Sequence, residues 1–303
     1  MLVTPSGPNA QVLIGHDFTN CPLDVNLFQH LSDVHLIKIN RPGIRGEFSL
    51  LAPYLQAIDW LFANKSDFSW LFYLSGQDYP TQPLSNVESF LANTDYDGFI
   101  HYCNLLSPES PWEKDEVIKR YYSQHYYLPN WVRWVQRNLK KVFKKIAPTG
   151  TTVNETHLND NSLPIKALNI KKFTSISLPA KKTPFNDKFL CYGGSQWHTL
   201  SRKCIEYIRD FIKNNPNFVK YYKKTLVPDE SFIQTILINN QNFKFCNDNK
   251  RYIDFTEADS DRPRVLTSQD YDTITNGSFH FARKFEQDTS ILDMLEANML
   301  VSL

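Results

Sequence analysis

Short apolar segments of strand length alternate with segments of helical periodicity over the first hundred residues, and this alternation restricts the fold more than any other feature. The strand-like segments are residues 12–15, 34–39, 70–74 and 96–102. Between them, apolar side chains recur at helical spacing over residues 49–64 and 87–92. Strands that alternate with helices predict an α/β fold, in which helices flank a mostly parallel sheet.

The strand-like segment 70–74 ends abruptly at the polar turn Ser75-Gly76-Gln77-Asp78-Tyr79-Pro80. Ligands of open α/β sheets bind just outside the carboxyl ends of the strands. Gln77 and Asp78 are therefore candidates for the floor of a site that binds a polar ligand. The same residues also suit an ordinary turn, in which Asp78 only accepts hydrogen bonds from nearby backbone N–H groups.

The composition indicates a globular chain of 303 residues, in which 42% hydrophobic and 14% aromatic content supplies a core. We expect a single domain with an irregular insertion over about residues 107–187. The net charge of +1 gives no electrostatic basis for binding nucleic acid. The five cysteines form no CxxC or CxxH pair, which argues against a zinc module or a disulfide framework and suits a reducing compartment.

No segment has the apolar length of a membrane span, and the N-terminus lacks a signal-peptide pattern, so we expect a cytoplasmic protein. Residues 121–145 combine aromatic side chains with a cluster of lysine and arginine. One interpretation is a basic, aromatic helix that makes peripheral contact with an anionic membrane. The other, which we favour, is a helix that packs its aromatic side chains on the core and leaves its lysines in water. Residues 149–182, rich in Thr, Asn, Ser and Lys, are predicted to form a loop or a lid.

Two adjacent acids follow a proline in Pro228-Asp229-Glu230, where the pattern predicts the start of a helix. Acidic side chains are favoured there, because they cap the helix and interact with its dipole. We expect Asp229 to be the cap. Glu230 lies one residue further on and is a candidate general base in a cleft, since the dipole helps to keep it ionised.

Two cations lie between aromatic residues in Phe281-Ala282-Arg283-Lys284-Phe285, and Arg262 and Arg264 lie upstream. Arginine binds oxyanions with two parallel hydrogen bonds, and lysine supplies a compact positive charge. These residues suit a phosphate site. They equally suit a surface strand whose charges are solvated.

The segment Gly193-Gly194-Ser195-Gln196-Trp197 combines two glycines with an indole. Glycines let the backbone approach a ligand closely, and an indole offers a flat apolar surface to a sugar. The alternative is a tight turn with a packed tryptophan.

Together, these four polar segments resemble glycosyltransferase family 14, in the order and rough spacing that the family shows. The family comprises the core-2/I-branching β-1,6-N-acetylglucosaminyltransferases and the peptide O-xylosyltransferases, and the chain is similar to a bacterial member. The resemblance covers the chain from about residue 12 to its end, apart from residues 107–187. It implies a GT-A-like, Rossmann-type fold and inverting, metal-independent transfer of GlcNAc or xylose from a UDP-sugar to a glycan or protein hydroxyl. No cofactor is implied beyond the UDP-sugar as co-substrate.

The resemblance also implies roles for individual residues. Glu230 matches the catalytic base and Lys284 matches the lysine that binds the donor diphosphate. Its partner arginine is expected at Arg264, with Arg262 as second choice, and Asp17 falls where the family has an aspartate that contacts uridine. Five further residues are expected to complete the donor and acceptor pocket: Gln77, Asp78, Ser195, Trp197 and Asp229.

One departure from the family leaves a second interpretation open. The family begins with a strand and helix that form one wall of the nucleotide site, and we find no counterpart ahead of residue 12. The alternative to an enzyme is therefore a non-catalytic relative that binds a glycan or a protein partner and has an incomplete donor site. A third hypothesis is a hydrolase that uses Asp78 and Glu230 as an acid/base pair, although Arg264 and Lys284 would then have no task.

Overall fold

The computed structural model describes residues 2–4, 10–19, 21–39, 43–127, 166–170, 173–256, 262–286 and 290–301. In chain order, the strands of these residues are β1 (Leu2–Thr4), β2 (Gln11–Asp17), β3 (Val34–Ile39), β4 (Trp70–Phe72), β5 (Asp78–Pro80), β6 (Gly98–Ile100), β7 (Cys103–Asn104), β8 (Ser123–Tyr127), β9 (Lys166–Ile170), β10 (Phe173–Pro179), β11 (Tyr192–Gly193), β12 (His198–Ser201), β13 (Phe245–Cys246), β14 (Arg251–Ile253) and β15 (Phe281–Arg283). The helices are α1 (Ala52–Ala63), α2 (Leu84–Ala92), α3 (Lys114–Tyr121), α4 (Arg202–Asn214), α5 (Pro216–Tyr222), α6 (Phe232–Ile238), α7 (Tyr271–Asn276) and α8 (Ser290–Val301). Short 3-10 turns cover Val25–Phe28, Phe48–Leu50, Pro228–Glu230 and Ser268–Asp270.

The main sheet has seven strands in the order β13-β6-β12-β4-β1-β2-β3. Strands β2, β3, β4, β6 and β13 run in one direction, whereas β1 and β12 run in the other. The prediction of an α/β fold is confirmed. The prediction of mostly parallel pairing is wrong, because β1 and β12 are inserted between strands of the opposite direction and make four of the six ladders antiparallel.

Both faces of this sheet are covered, as the alternation of side chains along β4 shows. Leu71 packs into the larger core cluster, whereas Phe72, its neighbour in the strand, packs into a second one. The larger cluster is completed by α1, α4 and α6, and the second by α2 together with Phe281. Helix α4 buries Cys204, Ile205 and Ile208 on one face, which is the spacing of an amphipathic helix.

A small sheet of order β14-β15-β5 connects the C-terminal part of the chain to the loop that follows β4. Strand β15 pairs with β14 in parallel and with β5 in antiparallel register, so that Arg283 lies opposite Asp78. This sheet brings together two of the polar segments of the sequence.

The structure corrects two expectations for the insertion. Residues 123–127 form strand β8 and not part of a helix, and the segment predicted as a loop or lid contains β9 and β10. These three strands form an antiparallel sheet of order β8-β10-β9, in which Ile176 lies opposite Tyr126. Within Phe173–Pro179, Thr174, Ile176 and Leu178 alternate with serines, and this alternation favours a strand.

The basic part of the proposed membrane-binding stretch, residues 128–145, lies outside the described residues. The described part begins with Tyr121, whose side chain is buried. Within the described ranges, no helix has the length and apolar character needed to cross a membrane. The single domain and the missing strand-helix unit both stay predictions. In the main sheet, β1 lies between β2 and β4 and is antiparallel to both.

Candidate active site

The carboxyl ends of three strands define the edge of the sheet at which the site lies. Strand β2 ends at Asp17, and β4 leads into Tyr73 and the loop of residues 75–80. Because β2, β4 and β6 run in the same direction, these ends meet at one edge of the sheet, where α/β proteins bind ligands. Asp17 accepts hydrogen bonds there from the N–H groups of Thr19 at 2.9 Å and Gly43 at 3.3 Å.

Three of the polar segments meet at Arg283. Its Nε lies 3.0 Å from Oδ1 of Asp78, and its guanidinium carbon lies 4.1 Å from the centre of the Trp197 ring. The N–H of Phe285 donates to the carbonyl of Gln77 at 3.0 Å. The loop after β4, the strand β15 and the Gly-Gly-Ser-Gln-Trp segment therefore form one continuous structure.

Asp78 and Trp197 are enclosed within this structure. The Asp78 side chain is 2% exposed and Trp197 is 8% exposed. Burial raises the pKa of Asp78, and the positive charge of Arg283 opposes that shift. One neighbour of the indole is the Arg283 guanidinium and another is the Tyr73 ring, whose centre is 5.3 Å away. The Trp197 ring therefore packs against the side chains of Arg283 and Tyr73.

Gly194 joins the segment of residues 193–197 to the acidic segment of residues 228–230. A Cβ atom at this position would lie 2.0 Å from the carbonyl oxygen of His101, so a side chain does not fit. The N–H of Gly194 donates to the carbonyl of Glu230 at 2.8 Å, and Nε2 of Gln234 donates to the carbonyl of Ser195 at 2.7 Å. All four polar segments of the sequence are thus connected through direct contacts.

The acidic segment is held in an unusual backbone conformation. Pro228–Glu230 form a 3-10 turn, and the preceding residue, Val227, has a φ of +49°. A β-branched residue in the left-handed region is strained, and such strain is frequent at functional sites. The N–H of Val227 donates to the carbonyl of Gly46 at 2.9 Å, which anchors the turn to the loop ahead of α1.

The expectation that Asp229 caps a helix is wrong. Helix α6 begins two residues after Glu230, with Ser231 at the cap position and no side-chain cap bond. Asp229 lies inside the 3-10 turn, where one of its carboxylate oxygens is buried without a hydrogen bond. Burial raises the pKa of this carboxyl.

Glu230 presents its carboxylate to a cation that comes from the insertion. Nη1 of Arg120 lies 3.1 Å from Oε2 of Glu230, and 37% of the Glu230 side chain remains exposed. Arg120 also pairs with Glu116 and lies over the Trp112 ring at 5.0 Å. A partly open carboxylate held by a fixed guanidinium has both access to a ligand and a defined orientation.

The pKa of Glu230 suits a general base. Burial, followed by the charge of Asp229, raises it to about 7, and the positive charges of Arg120 and Arg45 act against this rise. A base is most effective when its pKa lies close to the working pH.

Arg120 was not among the residues predicted for the site. Within α3, Glu116 and Arg120 are four positions apart, which is the usual spacing of a solvated surface pair. No local pattern indicates that the same guanidinium also contacts a carboxylate 110 positions further on.

The predicted phosphate-binding cations lie in three different environments. Arg264 lies between two carboxylates, with Nε 2.7 Å from Oδ2 of Asp254 and Nη1 2.9 Å from Oδ2 of Asp270. Arg262 lies exposed two residues earlier. Lys284 is half-buried, and its ammonium makes no hydrogen bond or ion pair with any residue of the described ranges. Lys284 can therefore accept an anion without first releasing a described carboxylate, whereas Arg264 is already paired with two.

A protein-family model for the Core-2/I-branching enzyme matches residues 137–279. This part of the chain is therefore similar to the Core-2/I-branching family. The part matched by the Core-2/I-branching model includes Ser195, Trp197, Glu230 and Arg264, and it ends five residues before Lys284. The bacterial origin that we inferred from the resemblance stays a prediction.

Curated relatives cover most of the chain at low identity. The beta-glucuronosyltransferase GlcAT14B of Arabidopsis thaliana is 23% identical over 307 residues, which is 97% of this chain and 60% of the relative. The beta-glucuronosyltransferase GlcAT14A of the same plant is 22% identical over 280 residues, which is 91% of this chain and 52% of the relative. The chain therefore spans between half and three fifths of the length of these relatives.

Proposed function

We propose that the chain is an inverting glycosyltransferase that transfers a sugar from a UDP-sugar to a hydroxyl group of a glycan or a protein. The similarity of residues 137–279 to the Core-2/I-branching enzymes supports the class of reaction. The observation on which the proposal depends most is the environment of Glu230. Its carboxylate is partly open, has a pKa of about 7 and is oriented by Arg120, in a segment bonded to the Gly194 backbone.

In the proposed reaction, Glu230 accepts the proton of the acceptor hydroxyl while the hydroxyl oxygen attacks the anomeric carbon of the donor. The bond between that carbon and the UDP oxygen breaks in the same step, and the electron pair leaves with UDP. A single displacement inverts the anomeric configuration. Arg120 keeps the carboxylate in place and limits the rise of its pKa, so that a useful fraction is ionised at neutral pH.

The negative charge that builds on the departing UDP requires stabilisation. The loop of residues 75–80 has no Asp-x-Asp pair to hold a divalent ion, so we propose that fixed cations take this role. Lys284 is our first choice, because its ammonium lacks a partner among the described residues. Arg264 and Arg262 remain candidates, although two carboxylates already offset the charge of Arg264. Among the described residues, no cluster of three or more His, Cys, Asp or Glu is arranged as a metal-binding group.

The donor sugar is proposed from three candidates. The sequence resemblance suggests GlcNAc or xylose, and the names of the two plant relatives add glucuronic acid. Asp17, Gln77, Asp78, Ser195, Trp197 and Asp229 stay candidates for the donor and acceptor pocket. Since Asp78 is 2% exposed and paired with Arg283, direct contact of its carboxylate with a ligand would require this pair to open. The same burial disfavours a hydrolase that uses Asp78 as an acid.

The proposal is tested by incubating the purified chain with UDP-GlcNAc, UDP-xylose or UDP-glucuronate and a panel of glycan and peptide acceptors, with and without EDTA. We expect acceptor-dependent release of UDP from one donor, unchanged by EDTA and lost in Glu230→Gln. UDP binding by that variant should persist, because Glu230 is not assigned to the nucleotide. Binding of a glycan or a protein without turnover of any donor would favour the non-catalytic alternative.

A further inference from the structure

The ion pair between Asp78 and Arg283 is enclosed by protein. The side chain of Asp78 is 2% exposed and that of Arg283 is 13% exposed. Oδ1 of Asp78 and Nε of Arg283 lie 3.0 Å apart, and neither atom makes a hydrogen bond with good geometry to any described group. The two atoms therefore interact as charges. Because an unpaired charge is strongly unfavourable in such surroundings, Asp78 holds the Arg283 guanidinium in place.

Trp197 restrains the same guanidinium from a second direction. The guanidinium carbon lies 4.1 Å from the centre of the indole, which is close enough for a favourable cation–π contact. The indole in turn contacts the Tyr73 ring. Arg283 thus lies between a carboxylate and an aromatic surface, and both are themselves fixed by their neighbours.

The backbone around Lys284 is fixed on each side of this residue. Arg283 is the register partner of Asp78 in the β5–β15 ladder. The carbonyl of Lys284 accepts the N–H of Leu266 at 2.9 Å, and the next residue donates its N–H to the carbonyl of Gln77. A restrained backbone therefore presents the Lys284 ammonium, which has no partner among the described residues.

We propose that Asp78 is a positioning residue for nucleotide binding: acting through Arg283 and Trp197, it fixes the Lys284 backbone so that the ammonium meets the donor diphosphate. The inference rests on the proposed function, because it assumes that Lys284 binds the diphosphate. It assigns Trp197 to Arg283 and not to the face of a sugar. It also gives the loop of residues 75–80 a task that requires no direct contact between Asp78 and the ligand.

The test measures the UDP affinity of the full chain by titration calorimetry for Asp78→Asn, Lys284→Ala and the double variant. Asp78→Asn removes the charge, keeps the size of the side chain and can still accept the N–H of Ser75. We expect it to weaken UDP binding about tenfold through displacement of Lys284, and to have no further effect once Lys284 is alanine. Asp67→Asn is the matched control, since it makes the same charge change at a side chain that is 80% exposed.

The outcomes separate the inference from the function on which it rests. Absence of UDP binding by the wild-type chain, or unchanged binding by Lys284→Ala, would contradict the proposed function. A second result is that Lys284→Ala weakens UDP binding as expected while Asp78→Asn leaves the UDP affinity unchanged. That result would overturn the positioning role alone, and so would losses of UDP affinity that add in the double variant. Should Asp78→Asn fail to fold, Arg283→Lys replaces it, because lysine keeps the charge but loses the planar contact with Trp197. Wild-type affinity in that variant would equally overturn the inference.

Discussion

Nη1 of Arg120 lies 3.1 Å from Oε2 of Glu230, although 110 positions separate the two residues in the sequence. The guanidinium comes from α3 and the carboxylate from the 3-10 turn ahead of α6. The pair therefore forms only when the insertion folds against the core of the chain. The expected pH dependence of transfer depends on this pair, because Arg120 lowers the pKa of Glu230.

The first prediction concerns the pH dependence of transfer. Because the pKa of Glu230 is raised to about 7 and the base must be ionised, kcat/KM should increase with pH and level off above about 7. The measurement is the pH profile of kcat/KM from pH 5 to 9 with the donor identified in the screen. A profile that is flat from pH 5 to 9 would contradict the assignment of Glu230 as the base.

The second prediction concerns Arg120→Gln. Loss of the positive charge removes an influence that lowers the pKa of Glu230, so the inflection of the profile should move to higher pH and activity at pH 7 should fall. Arg209→Gln serves as the control, because Arg209 is half-exposed and its nearest carboxylate, on Asp59, is 3.8 Å away. An inflection that stays in place in Arg120→Gln would show that Arg120 does not set the pKa.

The third prediction concerns Lys284. Removal of a preorganised charge from a leaving group typically slows a reaction by about two to three orders of magnitude, and we expect Lys284→Ala to show a loss of this size together with weaker UDP binding. Lys203→Ala provides the comparison, since this lysine is 61% exposed and lies on α4. Equal activity of the two variants would exclude Lys284 from the donor site.

The fourth prediction concerns Gly194. Its missing side chain allows the His101 carbonyl to lie where a Cβ atom would be, so Gly194→Ala should destabilise the fold by about 3 kcal/mol. Gly76→Ala is the matched control, because no atom lies within 4 Å of a Cβ built there. Thermal unfolding monitored by circular dichroism measures both variants. Similar melting temperatures would show that the close approach at Gly194 is not required.

The sequence predicted the regular elements best where a strong local pattern decides the structure. The strand at residues 34–39 has the predicted bounds, since its apolar residues and the polar residues that flank it agree there. Strands β9 and β10 escaped prediction because their stability comes from pairing with each other and with β8. Local composition contains little information about such a partner.

The polar segments of the candidate site were recognisable in the sequence, whereas their geometry was not. The four polar segments were recognised individually, and the structure shows them in contact. That Arg283 lies between Asp78 and Trp197, and that Arg264 lies between two aspartates, depends on tertiary packing. Asp229 fails as a cap for a related reason, since the strained Val227 turns the backbone so that the acid enters the interior.

The central proposal is tested most directly by replacing Glu230, the proposed base, and measuring both sugar transfer and UDP binding. With saturating donor and acceptor, Glu230→Gln should lower the transfer rate by about three orders of magnitude and leave the Kd for UDP within about twofold of the wild-type value. A variant that transfers sugar at the wild-type rate would contradict the role of Glu230.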